Sequence, residues 1–141
     1  MKRFLISATL ILLSSLTLTA CTSAGSTPTP PAAADFDPDP FTFAPVTGVA
    51  PSPVLSIKSQ TITLSGFNRP LLLKATSGTT VYIDGEYREY FNDNSTGFNV
   101  QSGQTVEVAV SPQNTLNSDT VTTIEVGAYK TTFKVTTRST P

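Results

Sequence analysis

Histidine and tryptophan are absent from this 141-residue chain, cysteine and methionine occur once each, and charged residues make up 13%. Without histidine, the usual general base at neutral pH and the commonest metal ligand are both missing. A lone cysteine cannot close an intramolecular disulfide, so a folded domain must hold by packing. Paired carboxylates drawn from Asp84, Glu86, Glu89 and Asp93 are the remaining formal route to catalysis. Asp84 reads as a turn residue and the two glutamates as solvated, so no catalytic residue and no cofactor is assigned. The triplet Asp35, Asp37 and Asp39 has the hard oxygen ligands calcium prefers. Pro38 and Pro40 stiffen it, however, and neither a loop glycine nor a bidentate glutamate follows. It reads as a solvated acidic turn, and no metal site is assigned.

The N-terminus carries the most specific signal. Lys2 and Arg3 precede an apolar run from Phe4 to Leu18 that only serine and threonine interrupt. Fifteen helical residues rise about 22 Å, short of the ~30 Å hydrocarbon core, which matches a secretory signal better than a permanent span. Leu18-Thr19-Ala20-Cys21 follows and resembles the lipobox of bacterial lipoproteins, an apolar residue and two small ones before cysteine. The resemblance implies cleavage after residue 20, a thioether-linked lipid on Cys21 and acylation of the new amine. Several acyl chains anchor stably where one binds only marginally. The alternative is an ordinary cleavable signal with a stray thiol. Thr22 stands where aspartate is the usual inner-membrane retention signal, which favours the outer membrane in a two-membrane organism. Removing Lys2 and Arg3 leaves seven basic residues against ten acidic ones, about −3, with no basic cluster. Nucleic acid is therefore not an expected partner.

Residues 21–34 hold the anchor and a spacer rich in Ser, Thr and Pro, able to extend up to ~40 Å. The domain is assigned to 35–137, with 35–53 as an extended lead-in that uses Phe36, Phe41 and Phe43 to pack, and 138–141 as a tail. Within it, Thr, Ser and Val are abundant and period-two alternation recurs. Leu71 and Leu73 alternate with Leu72 and Lys74. Val106, Val108 and Val110 alternate with Thr105, Glu107, Ala109 and Ser111. Phe133 and Val135 point inward on a last strand spanning 129–137. Asp84-Gly85 is a strong type I′ hairpin signal, and Gly127-Ala128 suits a II′ turn. About seven such strands predict an all-β, two-sheet sandwich without a disulfide.

Several stretches occur in an order that is similar to the immunoglobulin-like repeats of large bacterial secreted and surface-anchored proteins. They are Asp39-Pro40-Phe41-Thr42-Phe43, Ser59-Gln60-Thr61-Ile62-Thr63-Leu64-Ser65-Gly66, Tyr82-Ile83-Asp84-Gly85, Gly103-Gln104-Thr105-Val106, Ile124-Glu125-Val126-Gly127 and Phe133-Lys134-Val135-Thr136-Thr137. The resemblance covers 35–137 and implies an immunoglobulin-like sandwich with a structural or adhesive role and no shared catalytic residues. This chain departs from the pattern in having one copy on a lipid anchor, and in the aromatic, charged segment Glu86 to Asn92 (EYREYFN).

Tyr87, Arg88, Tyr90 and Phe91 in that segment form the candidate binding patch, because tyrosine and arginine bury much area at interfaces while keeping a polar end. The competing reading places two of these rings in cross-strand or edge-capping positions. Two roles remain: an envelope-tethered binding or adaptor module for a protein or glycan, and a passive structural envelope or surface-layer lipoprotein. On either, Cys21→Ser yields an unlipidated protein largely released from membranes. Fractionation with mass spectrometry checks this; acylated, membrane-retained Cys21→Ser protein would refute it.

Overall fold

The computed structural model describes residues 32–140, and every regular element among them is a strand. In chain order these are β1 (Val46–Val49), β2 (Ile57–Lys58), β3 (Ile62–Thr63), β4 (Leu71–Ala75), β5 (Thr79–Ile83), β6 (Glu86–Tyr90), β7 (Phe98–Val100), β8 (Thr105–Val110), β9 (Asp119–Val126) and β10 (Tyr129–Thr137). They form two sheets. One runs β1-β10-β9-β4-β7; the other runs β2-β8-β5-β6, with β3 also paired to β8. All pairings are antiparallel except that of β1 with β10.

The sheets share one core. Leu71, Leu73, Val100, Ile124, Val126, Phe133 and Val135 of the first pack with Val81, Val106, Val108 and Val110 of the second in a single buried cluster. The expected alternation is realised along β4, where Leu71 and Leu73 are buried while Leu72 and Lys74 face solvent. In β8 the outward Ala109 is buried as well. It sits on a central strand between Lys58 of β2 and Thr80 of β5, and these longer neighbours cover its single methyl. One polar pair joins the layers at the core: the buried hydroxyls of Thr79 and Thr122 lie 2.5 Å apart, so each satisfies the other.

Ten strands replace the seven or so expected, for identifiable reasons. β2 and β3 are one strand along β8, broken where residues 59–61 oppose 107–108 between the Lys58–Ala109 and Ile62–Val106 pairs. Ser59 spans the break: its N–H donates to the Val108 carbonyl at 2.8 Å, and its Oγ accepts from the Val108 N–H at 3.1 Å. β1 and β7 are too short to carry a recognisable alternation, and β6 is polar on most positions. The two hairpins have the backbone that their sequences demand. Asp84 and Gly85 both take positive φ (53° and 81°), and Gly127 takes 59° at the first position of its turn.

Two of the three lead-in aromatics pack as expected, whereas Phe36, ahead of the segment that lies against β10, stays 56% exposed. The Phe41 ring lies 5.0 Å from Tyr129 and 6.0 Å from Phe43, which reaches Phe133 at 6.2 Å. The Tyr129 hydroxyl donates to the Phe41 carbonyl at 2.8 Å and accepts from the Phe41 N–H at 3.2 Å, stapling this segment to β10. Asn68 holds the entry point, accepting from the Asp35 N–H and donating to the Ala33 carbonyl. Asp35 in turn accepts from the Asp37 N–H at 3.0 Å, a local turn bond. The Asp39 N–H donates to the Ser65 carbonyl, and the two segments approach so closely that a Cβ on Gly66 (φ 87°) would stand 2.4 Å from the Asp39 nitrogen.

Gly66→Ala therefore meets both an unfavourable backbone and a clash with main chain. It should cost about 2–4 kcal/mol. Gly48→Ala (φ 74°) meets open space and should cost about 1–2 kcal/mol, the backbone term alone. Equal losses in denaturant unfolding would contradict the close approach of the lead-in.

Candidate functional site

Strand β6 lies at one edge of its sheet and β7 at one edge of the other, and the chain passes directly between them through residues 91–97. Between these rims lies a cleft of about 500 Å³, bordered by Ile83, Glu86, Tyr87, Arg88, Phe98 and Gln101 among others. How the β6 side chains divide around it follows from register. Tyr82 pairs with Tyr87 and Val81 with Glu89, so Arg88 is an extra residue, a bulge, with no partner on β5.

The bulge redirects the segment. Tyr87 and Tyr90 pair with Tyr82 and Thr80 and share their outward face, away from the core residue Val81. They remain 64% and 52% exposed. The Tyr87 ring meets Tyr82 edge-to-face at 6.2 Å. Lys58 extends this outer row: its ammonium lies 3.8 Å from the centre of the Tyr82 ring and pairs with Glu107. That hydrogen bond raises the Lys58 pKa above its ordinary value. Arg88 turns the other way and places its guanidinium 5.2 Å over the Phe98 ring.

Phe91 does not belong to the exposed patch. It is 1% exposed, within the core cluster, with its ring 6.1 Å from Phe98. The physical reason is the bulge. One unpaired residue at Arg88 shifts the alternation, leaving Tyr90 outward and Phe91 inward beneath Phe98. A guanidinium–ring–ring series thus runs from solvent to the core. The four residues grouped in the sequence reading split three ways: two tyrosines outward, one arginine over the cleft, one phenylalanine in the interior.

The floor of the site is pinned by Asp84. Its Oδ1 accepts from the Thr105 N–H at 2.8 Å and from the Thr105 hydroxyl at 3.2 Å, and its Oδ2 from Gln104 Nε2 at 3.0 Å. Led by the Thr105 backbone bond and then by Gln104, these donors hold the Asp84 carboxyl below the usual carboxylate range. Gln104 also accepts from the Gln101 N–H at 2.8 Å, tying the 101–104 turn to the β5–β6 hairpin. Asp84 is thereby committed to structure. Among the described residues the side chains of Glu86, Arg88 and Gln101 make no hydrogen bond or ion pair. The neighbouring Asn92 to Gly97 loop closes on itself: Asn92 Oδ1 accepts from the Asn94 N–H, and Ser95 Oγ from the Asn92 N–H.

Gln101, Gln104 and Phe98 were not among the residues singled out from sequence. Both glutamines lie in a short polar stretch, Gln101 to Gln104, between two apolar runs, and nothing local sets Phe98 apart. Cys21, the lipidation site assigned from the sequence, lies outside the described residues. No three His, Cys, Asp or Glu side chains converge among the described residues. No family model, curated protein or solved structure matches the chain.

The lowered Asp84 pKa fixes a pH dependence. A carboxyl with a lower pKa folded than unfolded adds stability above its unfolded value, near 3.9, and loses it as pH falls through the folded value. Asp84→Asn keeps a residue that tolerates positive φ but removes the charge. It should lower the melting temperature at pH 7, by a deficit that shrinks on acidification below about pH 4. A deficit independent of pH in thermal melts would show that the carboxylate charge is not what matters.

Proposed function

We propose that this chain is a lipid-anchored envelope protein, held through Cys21, whose immunoglobulin-like domain docks a partner through side chains on and beside β6 and carries out no catalysis. The LTAC sequence after a short apolar segment supports the anchor. The immunoglobulin-like reading draws support from two facing sheets between which the chain alternates: β4 in the first, β5 and β6 in the second, β7 in the first, β8 in the second. Thr22 favours the outer membrane where there are two membranes.

The observation that carries the docking reading is the exposure of Tyr87 and Tyr90, side by side on the outer face of an edge strand. Large amphipathic rings cost little entropy when an interface immobilises them. Strand addition is the other common way in which a sheet edge recruits a partner. It is disfavoured here, since every edge is blunted. β1 has four residues and an irregular register after Thr47, β7 has three, β6 is bulged at Arg88, and β2 with β3 is interrupted. Short or bulged edges are how sheets avoid pairing with other chains. Side chains, rather than main-chain ladders, are left to make the contact.

The test is co-purification from detergent-solubilised cells, comparing wild type with Tyr87→Ala/Arg88→Ala/Tyr90→Ala. Exposed positions should leave the melting temperature within a few degrees. Loss of one stoichiometric partner from the triple variant is expected. A wild-type protein that recovers nothing points instead to a passive structural lipoprotein, and a variant that keeps every partner contradicts docking through β6.

A further inference from the structure

The geometry points to a carbohydrate as the ligand of the β6–β7 cleft: a short, uncharged oligosaccharide bound by Glu86, Arg88 and Gln101. This rests on the docking reading and names the chemistry of the ligand.

The first argument is the complement of hydrogen-bonding groups. Arg88 can only donate, Glu86 as a carboxylate can only accept, and the Gln101 amide does both. None has an intramolecular partner among the described residues, whereas the Asp84 and Gln104 side chains beneath them are already engaged. A ligand that satisfies such a set must donate at one position and accept at the next, as the hydroxyls around a sugar ring do. Glu86 and Arg88 cancel in charge, and the Asp84 carboxylate beneath them is already engaged by Thr105 and Gln104, so the cleft offers an anionic ligand no net attraction.

Placement is the second argument. Ile83 faces the core side of its sheet and pairs with Glu86, so Glu86 is on the cleft side; Arg88 reaches the same space across Phe98. Gln101 follows directly after β7 and borders the same opening. Tyr87 borders the cleft too, while its ring stays on the outer face against Tyr82. At about 500 Å³ the cleft lies within the ~300–1,000 Å³ range of small-ligand sites. Its lining is predominantly polar, which disfavours lipids and other apolar ligands. An extended peptide would need pockets for alternate side chains and a pairable edge, and the bulged β6 and three-residue β7 offer neither.

The full-length lipoprotein in detergent is applied to an array of neutral, amino and acidic glycans, and the retained glycan is then titrated in solution. At least one neutral oligosaccharide should be held. Glu86→Gln and Gln101→Ala should each weaken it about tenfold at unchanged melting temperature, since neither side chain has an intramolecular partner. Affinity should change little as salt rises to about 0.5 M, because no net charge is paired. The assignment is overturned if no glycan is retained, if only acidic glycans are retained, or if both substitutions leave affinity unchanged. Retention of peptides without glycans overturns it too. In each of these cases, a partner lost from the Tyr87→Ala/Arg88→Ala/Tyr90→Ala variant would leave the docking reading standing, so the two failures are distinguishable.

Discussion

Apolar packing between the two sheets is the interaction on which the rest of this domain depends. No intramolecular disulfide is available, because the chain has a single cysteine, and no helix covers either sheet among the described residues. The valines of β8 therefore meet Leu73, Ile124, Val126 and Phe133 without any crosslink to hold them. A core of this kind tolerates little polar intrusion. The one buried hydroxyl pair, Thr79 with Thr122, is matched across the layers, and no buried side-chain polar atom is left without a partner among the described residues. Phe91 and Phe43 extend the packing outward to the β7 rim and to the lead-in, so the candidate site and the entry of the chain are both seated on the same interior.

From that interior the functional surface follows by register. The bulge at Arg88 costs the sheet one regular pairing on an edge strand, where the loss is least, and has two effects. It blunts the edge against strand addition, and it separates the aromatic run so that Tyr87 and Tyr90 face solvent while Phe91 anchors the strand beneath. The same residue then bridges to the other sheet through Phe98. Bulges that re-aim side chains next to sites are a recurrent device in β proteins. Asp84 completes the arrangement by tying the hairpin to the start of β8 and, through Gln104 and the Gln101 N–H, to the turn that follows β7.

What could be read in advance, and what could not, divides along the same physical line. The alternating runs at 71–74, 105–111 and 133–135 were legible because burial on one face leaves a period of two that needs no knowledge of partners. Asp84-Gly85 and Gly127-Ala128 were legible because their turns demand positive φ. β1, β2 and β7 were not, since two to four residues cannot display a period and owe their pairing to neighbours distant in sequence. The aromatic patch was legible as a composition but not as a geometry. A bulge has no sequence signature here, and without it the inward turn of Phe91 and the reach of Arg88 over Phe98 could not be foreseen. Glu86, Gln101 and Phe98 meet at the cleft because two edge strands from different sheets lie on the same side of the molecule, a fact of topology alone.

The central proposal is that the outward rings of β6 form a surface that a partner covers in the cell. Its most direct measurement is quantitative tyrosine labelling, residue by residue, on the purified protein and on intact cells. In the purified protein Tyr87 and Tyr90 should label fastest, with Tyr82 slower and Tyr129, hydrogen-bonded to Phe41, slowest. In cells the first two should fall well below their purified rates while Tyr82 and Tyr129 keep theirs. Unchanged labelling of Tyr87 and Tyr90 in cells would contradict the account.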